Sequence, residues 1–178
     1  GTPLPVASSL NYSAGEVVPN ELVAKVGAGG RICLYTYSET HLLADVVGYL
    51  PLGPGYSSLD PARLLDTRSA NSTVDGLFAG AGRRGAGSVT ELVVAGRGGV
   101  SAGAAAVVVN VTVVDPSAPG FVTVFPCGTP LPVASSLNYS AGEVVPNELV
   151  AKVGAGGRIC LYTYSETHLL ADVVGYLP

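Results

Sequence analysis

Ser165, His168 and Asp172 place, within eight residues, the three side-chain types that acyl-transfer enzymes use as nucleophile, base and orienting acid; Ser38, His41 and Asp45 repeat the set. Such a set works only when the three groups stand in successive hydrogen-bond contact. The residues around them, "RICLYTYSETHLLADVVGYL", read as two strands separated by Glu166 and Thr167. On one extended strand, residues four apart lie roughly 13 Å from each other. His168 and Asp172 therefore share a face without touching, and no G-x-S-x-G elbow accompanies the serine. The spacing predicts structural polar residues bonded to loops or to a neighbouring strand. It supports neither a triad nor a metal site built on that pair.

A second polar cluster is Arg63, Asp66 and Arg68 in "RLLDTR". Asp66 and Arg68, two apart on a strand, share a face, with Arg63 nearby. Pairing between guanidinium and carboxylate is the ordinary use of such residues, so a buried or interfacial ion pair that fixes how this segment docks is expected; ligand binding is the sharper alternative. "GAGRRG", Gly80 to Gly85, satisfies G-x-G-x-x-G in letters alone, because no βαβ pattern surrounds it. It reads as a loop whose Arg83 and Arg84 are solvated or meet an acidic neighbour.

Tyr139, Tyr162, Tyr164 and Tyr176, with Asn138, supply aromatic faces and an amide. Rings of this kind stack on sugars and amides bond to hydroxyls, so Asn138, Tyr139, Tyr162 and Tyr164 are candidates for a glycan-binding surface. Tyrosine is equally at home in strands and domain contacts. No catalytic residue, metal set or cofactor is expected.

The elements that would carry these residues are organised by a repeat. Residues 1–51 and 128–178 are identical at every position, at an offset of 127. The expected organisation is one complete β repeat domain over 52–178, preceded by the C-terminal part of another repeat over 1–51, with a boundary near 51–56. A unit of this length is a domain with its own core, not a solenoid turn. Of the three cysteines, Cys33 is the copy of Cys160, and the partner of Cys33 would stand just before Gly1. Two cysteines per unit fit one disulfide, Cys127 to Cys160, in an oxidising compartment; two buried free thiols are the alternative. Neither cysteine has C-x-x-C or Cys/His metal spacing.

Of the residues, 48% are hydrophobic and only 12% charged, with 24 Gly and 13 Pro. That mix favours short strands and tight turns over helices. Strands are predicted over 63–68, 88–96, "AAAVVVNVTVVDP", 121–127, "VASSLNYSA", "ELVAKVG", "RICLYTYS" and "HLLADVVGYL", with a long Gly-rich loop after Arg68. Val107, Val109, Val111 and Val113 should face the core, and 121–127 should return as the hairpin partner of that strand. Seven or eight strands per 127 residues favour an all-β sandwich, with a small barrel or trefoil as the alternative. A net charge of −4 with scattered basic residues offers no footprint for nucleic acid. No apolar run approaches the roughly 20 residues of a membrane span.

"PARLLDTR", "VVVNVTVVDPSAPGFVTVFPCG", "ASSLNYSAG" and "CLYTYSETHLLADVVGYLP" together resemble repeat domains of large secreted and surface proteins of actinobacteria. The resemblance implies an extracellular, repeat-built surface or appendage protein and brings no catalytic residues with it. The expectation is a non-enzymatic structural repeat of an extracellular filament, stalk or adhesin whose partners are other copies of itself. Its assembly would run through end-to-end contacts or exchange of strands. A carbohydrate-binding module of a secreted surface protein, with cell-surface polysaccharide as partner, is the alternative.

Overall fold

A computed structural model describes residues 4–16, 18, 20, 22–44, 46, 49 and 55–178. Its strands are β1 (Ser57–Asp66), β2 (Ser88–Val93), β3 (Ala106–Val114), β4 (Gly120–Pro126), β5 (Leu137–Tyr139), β6 (Val144–Lys152), β7 (Arg158–Thr163) and β8 (His168–Leu177). They form two four-stranded sheets, ordered β1-β8-β3-β6 and β2-β7-β4-β5, and every pairing is antiparallel. The sheets pack face to face as a β-sandwich, not as a closed barrel.

The valine face of β3 meets the other sheet, as its alternation predicts: Val107, Val109, Val111 and Val113 are fully buried beside Leu92, Leu161, Leu169 and Val173. Its opposite face is buried too, at Val108, Asn110 and Thr112. Part of the cover comes from residues ahead of the domain, where the Asn110 Nδ2 donates to the Ser8 carbonyl at 2.8 Å.

Three expectations are corrected. The segment 121–127 is not the hairpin partner of β3. The turn through Asp115, whose φ is +52°, carries the chain across to the other sheet, where β4 pairs with β5 and β7. The first strand is not confined to 63–68: it begins at Ser57, immediately after the boundary expected near 51–56. Pro61 is tolerated because β1 is an edge strand with an irregular register between Ser58 and Ala62. Arg68, in turn, lies beyond that strand's end.

The pairing has a rule. Call 52–127 the front half and 128–178 the back half. Then β1 to β4 are front strands, β5 to β8 are back strands, and front and back alternate across both sheets. No two strands of the same half pair with each other. Cys127, at the end of the front half, is bonded to Cys160 in β7, with Cα atoms 5.0 Å apart. The expected disulfide therefore staples one half to the other.

Residues 4–44 repeat the sequence of 131–171, but those of them that are described do not repeat its structure. Among the described residues of the first copy the one ladder contact is the bridge between Gly27 and Arg31, the counterpart of that between Gly154 and Arg158. Leu161 is fully buried whereas its twin Leu34 is 57% exposed, and Leu170 is 2% exposed whereas Leu43 is 89% exposed.

Candidate functional site

The polar residues predicted to be structural converge where β1 meets β8. Arg63 and Asp172 are register partners, and the guanidinium holds the carboxylate at both oxygens: Nε donates to Oδ1 at 2.8 Å and Nη2 to Oδ2 at 2.9 Å. Its third nitrogen, Nη1, donates to the Asp66 Oδ2 at 3.1 Å. Arg68 closes the set from the strand's end, donating from its backbone and from Nε to Oδ1 of Asp66 at 3.1 and 3.0 Å, and from Nη2 to Oδ2 at 2.8 Å. Arg63, Asp66 and Asp172 are buried, while Arg68 is partly exposed.

Two cations face two anions in this lattice. Burial alone would raise the Asp66 carboxyl, but the hydrogen bonds and charge of Arg68 and the charge of Arg63 hold it below the usual carboxylate range. Burial likewise opposes charge on Arg63, and its two carboxylates overcome that and raise it. Asp172 carries the opposite balance: burial pushes its carboxyl up against the pull of Arg63. A bidentate pair closed on the far side by Asp66 is a strand clamp. Each nitrogen of Arg63 already serves a carboxylate, so the cluster offers an incoming anion little beyond the shallow recess between Arg63, Thr73 and Val6.

His168 and Asp172 do not touch. The His168 Nδ1 lies 3.0 Å from the Thr67 hydroxyl, while Asp172 is occupied by Arg63. The Ser165 hydroxyl donates to the Pro119 carbonyl at 2.9 Å. The three groups of the apparent triad thus serve three separate structural bonds. Burial, followed by the charges of Arg83 and Arg68, lowers the His168 pKa. In the first copy, Asp45 lies outside the described residues. Among the described residues no group of three His, Cys, Asp or Glu side chains is placed to hold a metal ion, and no helix is long and apolar enough to cross a membrane.

The Gly80–Gly85 segment is a loop, as read. The Arg83 guanidinium pairs with the Asp115 carboxylate, donates to the Asp115 carbonyl at 2.6 Å and lies 3.9 Å from Glu166. Sequence reading missed a second buried arginine. Arg97 grips Asp75 with two bonds of 2.7 Å, donates to the carbonyls of Leu64 and Val93, and lies 4.8 Å from the centre of the Phe78 ring. These bonds hold Asp75 down to about 2. Nothing in the spacing of "TVDGLF" and "AGRGG" announces this pair, because the loop geometry alone brings it together.

The aromatic candidates divide. Tyr139 is buried, and its hydroxyl lies 3.0 Å from the Thr163 hydroxyl and accepts from the Ser165 amide at 3.1 Å. It belongs to the core and not to a sugar-facing surface. Tyr176 packs partly buried against the core at the end of β8. Tyr162 and Tyr164 lie on the outer face of the second sheet with Phe121, which sequence reading missed. The Phe121 and Tyr164 rings stack at 5.2 Å, and Phe121 and Tyr162 meet at 5.9 Å. Asn138 is exposed and is the register partner of Phe121, so it borders the same patch. The period-2 alternation of "FVTVFPC" carried the signal for Phe121, once β4 is placed beside β7. In comparisons with known proteins, neither a protein-family model nor a curated protein nor a solved structure matched this chain.

Proposed function

We propose that this chain is a non-enzymatic structural repeat of an extracellular filament, stalk or adhesin, assembled from copies of itself. The observation that carries the reading is the alternation of front and back strands. A back half has no sheet of its own and gains one only by pairing with a front half, which 128–178 does within its own unit through backbone ladders, a continuous core and a disulfide; the same pairing made between units would bind them to one another. The sequence resemblance to repeats of secreted actinobacterial proteins supports the setting, and the Cys127–Cys160 bond is compatible with it. The groups that could do chemistry support a non-enzymatic role, because Ser165, His168, Asp172, Arg63 and Asp66 are each engaged in structural bonds.

The test is electron microscopy of the native material, with reducing and non-reducing gels of the same preparation. Fibres with a regular axial repeat are expected; discrete particles of one or two domains would contradict the reading. A second reading, polysaccharide binding, rests on the patch of Phe121, Tyr162 and Tyr164 beside Asn138. If it holds, Tyr164→Ala, at a half-exposed ring, abolishes retention on a glycan affinity matrix and leaves the unfolding temperature unchanged.

A further inference from the structure

The first copy is made of the same residues as β5 to β8, yet it leaves Leu34, Leu43, Tyr35 and Cys33 exposed. Among its described residues it meets the domain at a few polar contacts. Besides the Ser8 contact, Val23 donates its amide to Glu148 at 2.6 Å and Lys25 lies 3.4 Å from Asp60. The cover also leaves the buried Asn110 Oδ1 and Thr112 Oγ1 without partners. Residues 1–178 hold two copies of the back half and one set of front strands, which 128–178 occupies.

The way the domain closes makes that set reachable from the other side. Ser57 at the start of β1 and Tyr176 at the end of β8 are register partners on adjacent antiparallel strands. The twin of Tyr176 is Tyr49, which precedes Ser57 by seven intervening residues, 50 to 56, including Gly53, Pro54 and Gly55. Adjacent strands stand about 5 Å apart, a gap that seven residues span as an ordinary hairpin loop. With 1–51 in place of 128–178, every strand pairing of the sandwich is rebuilt from identical side chains. The link between β4 and β5 is lost, and a hairpin into β1 replaces it. Cys33 then stands where Cys160 stands, opposite Cys127.

We propose that the front half accepts either copy of the back half, so that residues 1–51 displace 128–178 within one chain and Cys33 replaces Cys160 as the partner of Cys127. The two arrangements share every strand pairing and differ in their connecting loops, whose closure entropies vary slowly with length, and in the few contacts the displaced copy makes with the domain, and their populations fall within about tenfold of each other. Such exchange applies to a single soluble chain as well as to a fibre. Its failure would therefore leave the filament reading standing, and the absence of fibres would leave the exchange standing.

The test is refolding of the reduced full chain in a glutathione buffer. Each bond forms by exchange with oxidised glutathione: two protein thiols give up their protons and become a disulfide, and two molecules of reduced glutathione leave. Trypsin then releases Cys127 on 98–152, Cys33 on 32–63 and Cys160 on 159–178, so mass spectrometry separates the two linkages despite the identical copies. Leu161→Asp puts a charge into the core from the second copy only. It is expected to shift the monomer's linkage toward Cys33–Cys127 on the order of a hundredfold or more, with a cooperative unfolding transition retained. Leu34→Asp alone leaves Cys127–Cys160 dominant, and the double variant loses the transition. The proposal is overturned if the Leu161→Asp chain has no cooperative transition or retains Cys127–Cys160. It is equally overturned if Cys33–Cys127 appears only between chains, or appears as readily in the double variant.

Discussion

Arg63 is the residue on which the junction of the two halves turns. It comes from the front half, its principal partner Asp172 comes from the back half, and Asp66 shares its remaining nitrogen. Removing one member of a buried ionic set leaves the others uncompensated. Arg63→Ala should therefore lower stability by about 3 to 5 kcal/mol, read from the midpoint of urea unfolding at unchanged slope. Asp75, held at about 2 from an ordinary 3.8 by Arg97, stabilises the fold above pH 3.8 and loses that contribution as pH falls toward 2. His168 acts at milder pH. Its native pKa lies below the ordinary 6.5, so the unfolded chain binds the proton more readily. Its effect is a destabilisation that is absent above about pH 6.5 and grows as pH falls below it. Replacing both His41 and His168 with Gln, so that neither copy brings a histidine, should flatten the dependence of stability on pH between 7.5 and 5.5. An unchanged slope would assign that dependence to other groups.

At the scale of elements, strands with one strong apolar face were legible and the partners of those strands were not. "HLLADVVGYL" coincides with β8, and the valine alternation marks the inward face of β3. "VASSLNYSA" yields only the three residues of β5, because Leu137 and Tyr139 alone turn inward there. The hairpin expected between β3 and β4 failed for a general reason. Proximity in sequence favours pairing of neighbouring strands, but the turn at Asp115 crosses between sheets, and nothing in "DPSAPG" distinguishes a crossing from a return. The polar site was half legible: "RLLDTR" announced a salt-bridge cluster, while the pairing of Arg63 with Asp172 needed the register of β1 on β8. The disulfide followed from counting cysteines per repeat. It closes a separation of 33 residues, and on chain-entropy grounds Cys127→Ser, which removes the bond with either copy, should cost about 3 to 4 kcal/mol. A thermal unfolding curve overlying that of the oxidised parent would contradict this.

For the whole molecule, folding is a matter of complementing halves. Because front and back strands alternate in both sheets, neither half has a partial fold to rest in. The same sequence makes four strands in 128–178, while the described residues of its first copy leave large apolar side chains in solvent. On the proposed reading, a back half is completed by the front half of a neighbouring repeat, which is the property a covalent or exchanged array requires. The most direct measurement of this complementarity is calorimetry on a chain in which a second copy of 52–127 is joined ahead of Gly1, giving the first back half its own front strands. Unfolding enthalpy scales with the number of residues folded, so the enthalpy per chain should come to about twice that of the parent, and thiol titration should find Cys33 oxidised. An enthalpy no larger than the parent's, with Cys33 still titrating as a free thiol, would contradict the account.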